Sequence, residues 1–522
     1  MQLNQPFLRK AVVLAILLAP VTPGAWAQCS DCHADVFTKW SGGVHANTQT
    51  DVANELSQSD IGLSPADVIQ AEDCLACHGP TAIQANGVMS ESQALGYFFT
   101  TSNGLFSAGT VATNTALWPH VECVACHNVP NNHPTTLPAL ALFNSQTGQY
   151  VAAGGASALC GQCHGNLHFA GTDHRIYNAW TNSGHAHTQT DVAGELSQSH
   201  AGQTPAAVTT GEDCVACHAP TAVLANGGMT EGQALGYFFT ITNGQFTAGT
   251  VSAHGSEWPA VACTACHDPH DPKKPSYFNS ATGQYQVMTN AAQLCGQCHG
   301  NLRFPGTDHL SYNILAGTGG VGVTNQQTMA GVTCTDCHMY TSAADPSNSK
   351  SFHGHTWAIA VAEPDGSSTT SCTVCHTNMD TTAALAQIAS WKADFQALNA
   401  TVQANVARAA AVAQGSQNPT WLAALQEAQH NLTYAESDES GGFHNHGYLM
   451  ALLNDANAKA LALPVLTAAV QGTSVVISWT GAGTLQAAAA PTGGWHDVPN
   501  ATNPLVIPAT GQAQQQFYRL RP

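Results

Sequence analysis

The pattern of hydrophobic and polar positions changes along the chain. Residues 28–380 are broken by Gly, Asn, Thr and Pro into short pieces, which is typical of tight loops between short elements. Residues 381–414 contain neither Gly nor Pro and are rich in Ala, which predicts a long helix. Asn418-Pro419 marks the start of a second helix running to Tyr434, and a third is predicted from His446 to Leu461.

After Pro464 the pattern becomes that of short strands. Val475–Trp479, Leu505–Ile507 and Phe517–Leu520 are rich in β-branched and aromatic residues and are separated by Gly, Pro and Asn turns. We therefore expect residues 464–522 to form a small all-β domain resembling a β-sandwich.

The first residues have the pattern of a secretory signal peptide. A basic pair precedes the apolar run Ala11–Ala19, and Ala25-Trp26-Ala27 matches a small-x-small cleavage site, so we predict a signal peptide over residues 1–27. An anchor helix is the alternative, but Pro20 and Pro23 interrupt the apolar run. No later run approaches the ~18 apolar residues of a membrane span. The mature chain is expected to be exported, to the periplasm or outside the cell.

Composition narrows the classes of partner. The 522 residues include 13 Lys and Arg against 32 Asp and Glu, which gives a net charge of −19 and argues against nucleic acid or an anionic membrane as partner. Hydrophobic residues make up 44% of the chain, which excludes global disorder. The unusual feature is 18 Cys together with 26 His.

All eighteen cysteines fall in nine Cys-x-x-Cys-His motifs, numbered 1 to 9 in chain order. This is the attachment signature of c-type haem, because two thiols three positions apart can bond to one porphyrin edge while the following His reaches the iron. Neither a disulfide nor a zinc site requires a His after every pair. The cysteines are Cys29 and Cys32, Cys74 and Cys77, Cys123 and Cys126, Cys160 and Cys163, Cys214 and Cys217, Cys263 and Cys266, Cys295 and Cys298, Cys334 and Cys337, and Cys372 and Cys375. The motif histidines are His33, His78, His127, His164, His218, His267, His299, His338 and His376. We therefore predict nine covalently attached c-type haems.

The remaining histidines outnumber the eight methionines, so His is the expected second axial ligand. An iron with two His ligands is coordinatively saturated, which suits electron transfer and leaves no position for a substrate. Six candidates recur in the repeat described below or closely follow a motif, and four lie outside it. They are His45, His133, His174, His185, His270 and His309, and then His353, His355, His444 and His446.

An internal repeat organises the motif region. Motifs 2 and 3 recur as motifs 5 and 6 at an offset of 140 residues, as Cys74 and Cys214 illustrate, and the offset then falls to 135 between Cys160 and Cys295. The chain thus carries two copies of a three-motif module, which predicts stacked units with closely packed haems. His187 is a less favoured ligand because its counterpart is Asn47.

These patterns predict a mainly α fold with extensive loops, packed around haems, with internal three-haem repeats, long C-terminal helices and the small all-β domain. The expected regions follow the motifs. They are residues 28–178 with motifs 1–4, 179–316 with motifs 5–7, 317–380 with motifs 8–9, the helical segment 381–463, and the β domain 464–522.

Two stretches resemble known families. Cys29–His33 followed by Trp40, Ser41 and His45-Ala46 resembles the cytochrome c-554 type, in which such a His ligates a neighbouring haem. The second copy, Trp180 to Ala186, carries the same pattern. The resemblance implies that His45 and His185 are haem ligands.

Residues 295–463 resemble the C-terminal half of the pentahaem nitrite reductases. The resemblance is carried by Cys334–Met339, by His353 and His355, by Cys372–His376 and by Gly442–His446. It implies a helical multihaem scaffold that dimerises through its long C-terminal helices.

That family's active-site features are missing here. No Cys-x-x-Cys-Lys motif occurs, the segment Gly300–Phe304 after motif 7 lacks the family's Tyr, and no His lies between His309 and Cys334. The resemblance therefore supports an inherited scaffold more than inherited catalysis.

We expect an exported electron carrier with mostly bis-His haems, acting as an extracellular conduit or filament. Its partners would be redox proteins or extracellular electron acceptors, together with further copies of the chain. The alternative is a reductase or oxidase of a small nitrogen or sulfur compound, of the nitrite or hydroxylamine type, with one open haem.

Overall fold

A computed structural model shows how the chain folds. It describes residues 26–59, 74–82, 90–107, 118–133, 135–136, 138–170, 172, 174–204, 208, 214–222, 229–247, 258–324, 331–340, 354–362, 368–416, 418–481, 483–508 and 515–521. Residues 1–25 of the predicted signal peptide and the candidate ligand His353 lie outside these ranges. None of the helices in these ranges has the length and apolar character needed to cross a membrane.

The chain divides into two compact units. The first comprises Met1–His174 together with His267–Lys274, and the second comprises Arg175–Cys266 and Pro275–Pro522. The segment His267–Lys274 thus belongs to the first unit, although in sequence it lies inside the second copy of the repeat.

The first unit combines short helices with small antiparallel sheets. Its helices are Trp26–Cys32, Ala34–Gly42, Thr48–Ser59, Cys74–His78, Glu91–Phe98, Cys123–Cys126 and Ala156–Cys160, with a 3-10 turn at His45–Asn47. Thr100–Ser102 pairs with Leu105–Ser107, and His127–Asn128, Ala139–Asn144 and Gln149–Ala152 form a three-stranded sheet. Leu95, Phe98 and Trp118 are fully buried at the centre of its core.

The second unit begins with the same succession of elements. Its early helices are Ile176–Thr181, Thr188–Ser199, Cys214–His218, Glu231–Phe238, Cys263–Cys266 and Ala291–Cys295, with a 3-10 turn at Gly184–Ala186. Two hairpins, Thr240–Thr242 with Gln245–Thr247 and Ser276–Asn279 with Gln284–Val287, complete the succession. Leu235, Phe238 and Trp258 lie in its core.

The strands make the fold a mixture of helices and small sheets, where the sequence predicted a mainly α fold. The short hairpins follow from the two-residue turns Asn103-Gly104 and Asn243-Gly244. Both Asn residues have positive φ, 53° and 54°, as do both Gly residues. Two consecutive left-handed residues form the turn that matches the twist of a hairpin, and Asn-Gly is the sequence that adopts it most readily.

Later in the second unit, short elements surround motifs 8 and 9. They are the helices Ser311–Leu315, Cys334–His338 and Cys372–Cys375, a 3-10 turn at Gly354–Thr356, and the paired strands Ala360–Ala362 and Ser368–Thr370.

Three long helices follow, as the sequence predicts, at Thr381–Ser416, Pro419–Glu436 and His446–Ala462. Asn418 caps the second helix, because its side chain accepts hydrogen bonds from the backbone N–H groups of Thr420 and Trp421 at 3.0 and 3.1 Å. The helices share a core in which Val402, Leu452 and Ala456 are fully buried.

The last segment carries two three-stranded antiparallel sheets. Val465–Gln471, Ser474–Thr480 and Leu505–Pro508 form one, and His496–Asp497, Thr484–Ala488 and Phe517–Arg521 form the other. Ile477, Leu485 and Leu520 form the buried cluster of this segment. The three strands predicted from sequence occur here, extended by a residue or two.

Candidate functional site

The Cys-x-x-Cys-His motifs coincide with short helical turns, and tertiary hydrogen bonds fix some of them in place. The His78 backbone oxygen accepts hydrogen bonds from the Thr48 hydroxyl and from Nε1 of Trp118, the latter at 2.9 Å. At the equivalent place in the second unit, Thr188 and Trp258 donate to the His218 oxygen. All eighteen cysteines lie in described stretches, and none of them forms a disulfide.

In the first unit, four motif histidines each face a histidine from elsewhere in the chain. The ring centroids lie 6.0 to 6.4 Å apart. The pairs are His33 with His133 at 6.0 Å, His78 with His174 at 6.3 Å, His127 with His270 at 6.4 Å, and His164 with His45 at 6.3 Å. These four facing partners are all predicted candidates, and His270 comes from the segment His267–Lys274.

Three further pairs lie in the second unit. They are His218 with His309 at 6.2 Å, His299 with His185 at 6.1 Å, and His338 with His444 at 6.0 Å. The first two repeat, at the equivalent positions, the pairs His78–His174 and His164–His45. All six candidates that recur in the repeat or closely follow a motif, together with His444, therefore face a motif histidine.

These separations fit one iron atom between two imidazoles. A bond from a metal to an imidazole nitrogen is about 2 Å long and the ring centre lies about 1 Å further on, so two opposed ligands place their ring centres roughly 6 Å apart. The seven pairs have this spacing. The carboxylate of Glu195 also lies beside the His218–His309 pair, with ligand atoms of all three residues within 4.8 Å of one another.

Burial keeps many of these rings neutral, which is the form of imidazole that binds a metal. Burial, reinforced by neighbouring histidines, lowers the pKa to about 4 for His78, His164, His185 and His218. It also lowers the pKa of His127 and His270. These rings are therefore ready to act as ligands at neutral pH.

Hydrogen bonds at Nδ1 orient several rings. Nδ1 of His338 lies 2.7 Å from the Trp357 backbone oxygen, and Nδ1 of His45 lies 3.3 Å from that of Pro269. Nδ1 of His444 lies 2.7 Å from the buried Asp438 carboxylate. A partner at Nδ1 leaves Nε2 for the iron and fixes the ring plane.

One carboxylate serves two rings. Glu439 accepts hydrogen bonds from Nδ1 of His299 at 3.0 Å and from Nδ1 of His309 at 2.7 Å. This hydrogen bond raises the pKa of His309 to about 9. Burial opposes the effect at His299, but Glu439 outweighs burial and raises the pKa of His299 as well. Sequence reasoning missed Asp438 and Glu439. The available signal was an adjacent acidic pair six and five residues before His444.

The other candidates have different surroundings. His446 stacks on Trp391, with ring centroids 5.3 Å apart, and its Nδ1 lies 2.9 Å from the Gly442 oxygen. His355 lies edge-on to Trp357 at 5.4 Å. Of the two remaining motif histidines, His267 has Nδ1 3.4 Å from the Pro272 oxygen, and His376 is exposed. The structure thus brings together seven histidine pairs among the described residues and leaves the ligand role of His446 and His355 as a prediction.

Two histidines outside the set of candidate ligands bond to backbone oxygens. Nε2 of His187 lies 2.9 Å from the Thr181 oxygen, and Nε2 of His430 lies 2.9 Å from the Gly319 oxygen. His187 is only two residues from His185, yet it is held in a different way, which makes it a natural control.

Thiols of different motifs are close neighbours. A hydrogen bond to Cys77 raises the pKa of Cys163, and the equivalent contact of Cys298 with Cys217 does the same in the second unit. Cys295 of motif 7 likewise contacts Cys334 of motif 8. Groups bonded to these sulfur atoms would therefore lie close to one another.

Comparisons with known proteins match the motif regions to families of c-type cytochromes. A family model described as cytochrome c554 and c-prime matches residues 28–96 and 159–235. A model described as cytochrome c552 matches residues 321–476, and a doubled CXXCH motif matches residues 259–304. The chain is a multihaem c-type cytochrome with covalently bound haem iron.

Two solved structures are similar to the chain at low sequence identity. One is the outer cell wall cytochrome OcwA, 19% identical, with a TM-score of 0.43, covering 83% of this chain and 99% of that one. The other is an undecahaem cytochrome from the S-layer of Carboxydothermus ferrireducens, 17% identical, with a TM-score of 0.40, covering 85% of this chain and 70% of that one. A search of curated protein sequences found no match.

Proposed function

We propose that this protein is an exported electron carrier with nine haems, most of them held between two histidines. The observation that carries the proposal is the set of seven facing histidine pairs. An iron with imidazole on both sides has no position for a substrate, and such an iron can exchange an electron with little change in its ligands. The site is therefore better suited to conduction than to catalysis.

The thiol neighbours support conduction along rows of haems. Within the first unit, the contact between Cys77 and Cys163 would bring the haems of motifs 2 and 4 close together. Within the second unit, the contact of Cys298 with Cys217 would do the same for motifs 7 and 5. The contact of Cys295 with Cys334 would do so for motifs 7 and 8. Haems held at these neighbouring motifs would be close enough to exchange electrons, one haem being oxidised as the next is reduced.

The signal-peptide pattern of residues 1–27 supports export. Redox proteins or extracellular electron acceptors would then be the partners. Assembly of the chain into a filament is tested by electron microscopy of the purified protein. The haem count is tested by the mass of the intact protein, which should equal the mature chain plus nine haems.

Electron paramagnetic resonance of the oxidised protein tests the ligand assignment. We expect the wild type to give low-spin signals, because each paired iron has two nitrogen ligands. His185→Ala should open motif 7 and add a high-spin signal from about one haem, because His185 faces His299. His187→Ala is the matched control and should leave the spectrum unchanged, since this ring bonds to the Thr181 oxygen. An unchanged spectrum in His185→Ala would refute the assignment.

A second candidate function, reduction or oxidation of a small nitrogen or sulfur compound, rests on motif 9. His376 is exposed, and no described residue presents a second histidine ring to it, while His353 lies outside the described ranges. A high-spin signal in the wild type, together with turnover of nitrite or hydroxylamine, would favour this enzyme over the carrier.

A further inference from the structure

We propose that Glu439 is a positioning residue shared by two haem sites, and that it lowers the reduction potentials of the haems of motifs 5 and 7 together. The inference rests on the proposed electron-carrier function, because it takes the histidine pairs as axial ligands. It assigns to this carboxylate a role in setting the order in which the haems are reduced.

The geometry links the two sites through one side chain. The two carboxylate oxygens bind different rings, Oε2 to Nδ1 of His299 and Oε1 to Nδ1 of His309. His299 is the motif 7 histidine, whereas His309 faces His218 of motif 5. Glu439 thus bridges the proximal ligand of one haem and the distal ligand of another.

The loop that carries Glu439 is held firmly. The Glu439 backbone N–H donates to the Ser311 hydroxyl at 3.4 Å, and the Leu310 N–H donates to the Ser437 oxygen at 3.4 Å. Ser440 accepts from the backbone N–H groups of Phe443 and His444, both at 2.8 Å. The residues directly after His309 therefore fix the position from which Glu439 reaches both rings.

The electronic effect follows from the hydrogen bonds. An imidazole that donates Nδ1–H to a carboxylate becomes a more basic ligand at Nε2. A more basic ligand stabilises the oxidised, more positively charged iron and so lowers the reduction potential. Asp308 and Glu195 add negative charge near His309, which belongs to the motif 5 site. The reduction potential of the motif 7 haem, which Glu439 affects through His299, is therefore the cleaner measure of the effect of Glu439.

The repeat supplies an internal reference. His164 and His174 occupy in the first unit the positions that His299 and His309 occupy in the second, but the loop containing Glu439 lies outside the repeat. We therefore expect the haem of motif 5 to be reduced at a lower potential than that of motif 2, and the haem of motif 7 at a lower potential than that of motif 4.

The test is a potentiometric titration of the haem-loaded protein, followed by visible absorption and electron paramagnetic resonance. In Glu439→Gln the reduction equilibria of two haems should shift about tenfold toward the reduced form, or about 59 mV for a one-electron couple. Glu439→Asp, which keeps the charge, should restore part of the shift. The matched control is Glu436→Gln, which removes the same charge at a position three residues before Glu439. Among the described residues, the Glu436 side chain bonds only to Asn399 and Gln403.

The outcomes separate this inference from the proposed function. A low-spin wild type whose midpoints are the same in Glu439→Gln would overturn the role of Glu439 and leave the carrier function standing. Equal shifts in Glu436→Gln would also overturn it, because they would show a general charge effect. A high-spin signal in the wild type from motif 5 or 7 would instead overturn the ligand assignment itself.

Discussion

Trp118 offers a sharp test of how the first unit holds motif 2. The side chain is fully buried, and its Nε1 donates to the Thr48 hydroxyl at 3.0 Å and to the His78 oxygen at 2.9 Å. Its ring packs edge-on against Phe98 and Phe99, with centroids 5.4 and 5.2 Å away. Trp118→Phe keeps an aromatic ring but removes the donor and part of the packing.

The magnitude follows from these contacts. Loss of the hydrogen bond costs about 1 kcal/mol, and no more, because the Thr48 hydroxyl still satisfies the His78 oxygen. A cavity of roughly 40 Å³ at about 24 cal/mol per Å³ costs about 1 kcal/mol. Transfer of the missing ring atoms adds about 1 kcal/mol. We therefore expect Trp118→Phe to lower the local stability by about 3 kcal/mol.

Hydrogen exchange read by mass spectrometry measures this effect locally. Amides of Thr48–Ser59 and Glu91–Phe98 should exchange about 100-fold faster in the variant if they open together. Trp40→Phe is the matched control. Trp40 is partly buried, and its indole N–H donates to the Val121 oxygen at 2.9 Å, so the loss of this side-chain hydrogen bond should cost about 1 kcal/mol. Less than about threefold acceleration in Trp118→Phe would refute the reasoning.

Two further predictions concern buried acids. Burial raises the pKa of Glu122 from 4.5 to about 8 despite its hydrogen bond to Thr81, so the folded chain keeps a proton that the unfolded chain releases. The free energy of unfolding of the wild type, compared with that of Glu122→Gln, should therefore fall as the pH rises from 4.5 to about 8. Urea titrations of both proteins across this pH range measure the difference. A difference that does not change with pH would contradict the prediction. Asp438→Asn should weaken the loop by about 2–3 kcal/mol, because the buried carboxylate holds Nδ1 of His444. Hydrogen exchange of residues 437–445 checks this, and unchanged rates would show that the charge is dispensable there.

The local features of the fold were predictable, and the short strands were not. The long helices follow from an unbroken run without Gly or Pro and from the Asn418-Pro419 start, both of which act within a few residues. Three-residue strands such as Thr100–Ser102 are too short for a periodic pattern. Their signal was the turn itself, Asn103-Gly104, because few other dipeptides adopt positive φ at both positions so readily.

The attachment motifs were predictable because thiols and histidine act together within five residues. The facing partners depend on tertiary structure. His444 and His446 are equally plausible by sequence, but Asn445 between them adopts a left-handed conformation, with φ 44°, and starts the helix His446–Ala462. That turn sends His444 toward His338 and His446 onto Trp391. No periodic pattern encodes such a choice.

The pairing of His127 with His270 shows one consequence of the tandem arrangement of the module. Two pairs, His78–His174 and His164–His45, are made within one copy and its flanks, and they recur unchanged in the second copy. Motif 3 differs, because its His127 faces His270, which follows motif 6 and belongs to the first unit through the segment His267–Lys274. In the proposed ligand assignment, a single copy would leave the iron of motif 3 with an open position. Under that assignment, the second copy would supply the missing ligand, so duplication of the module would saturate a haem as well as lengthen the chain of haems.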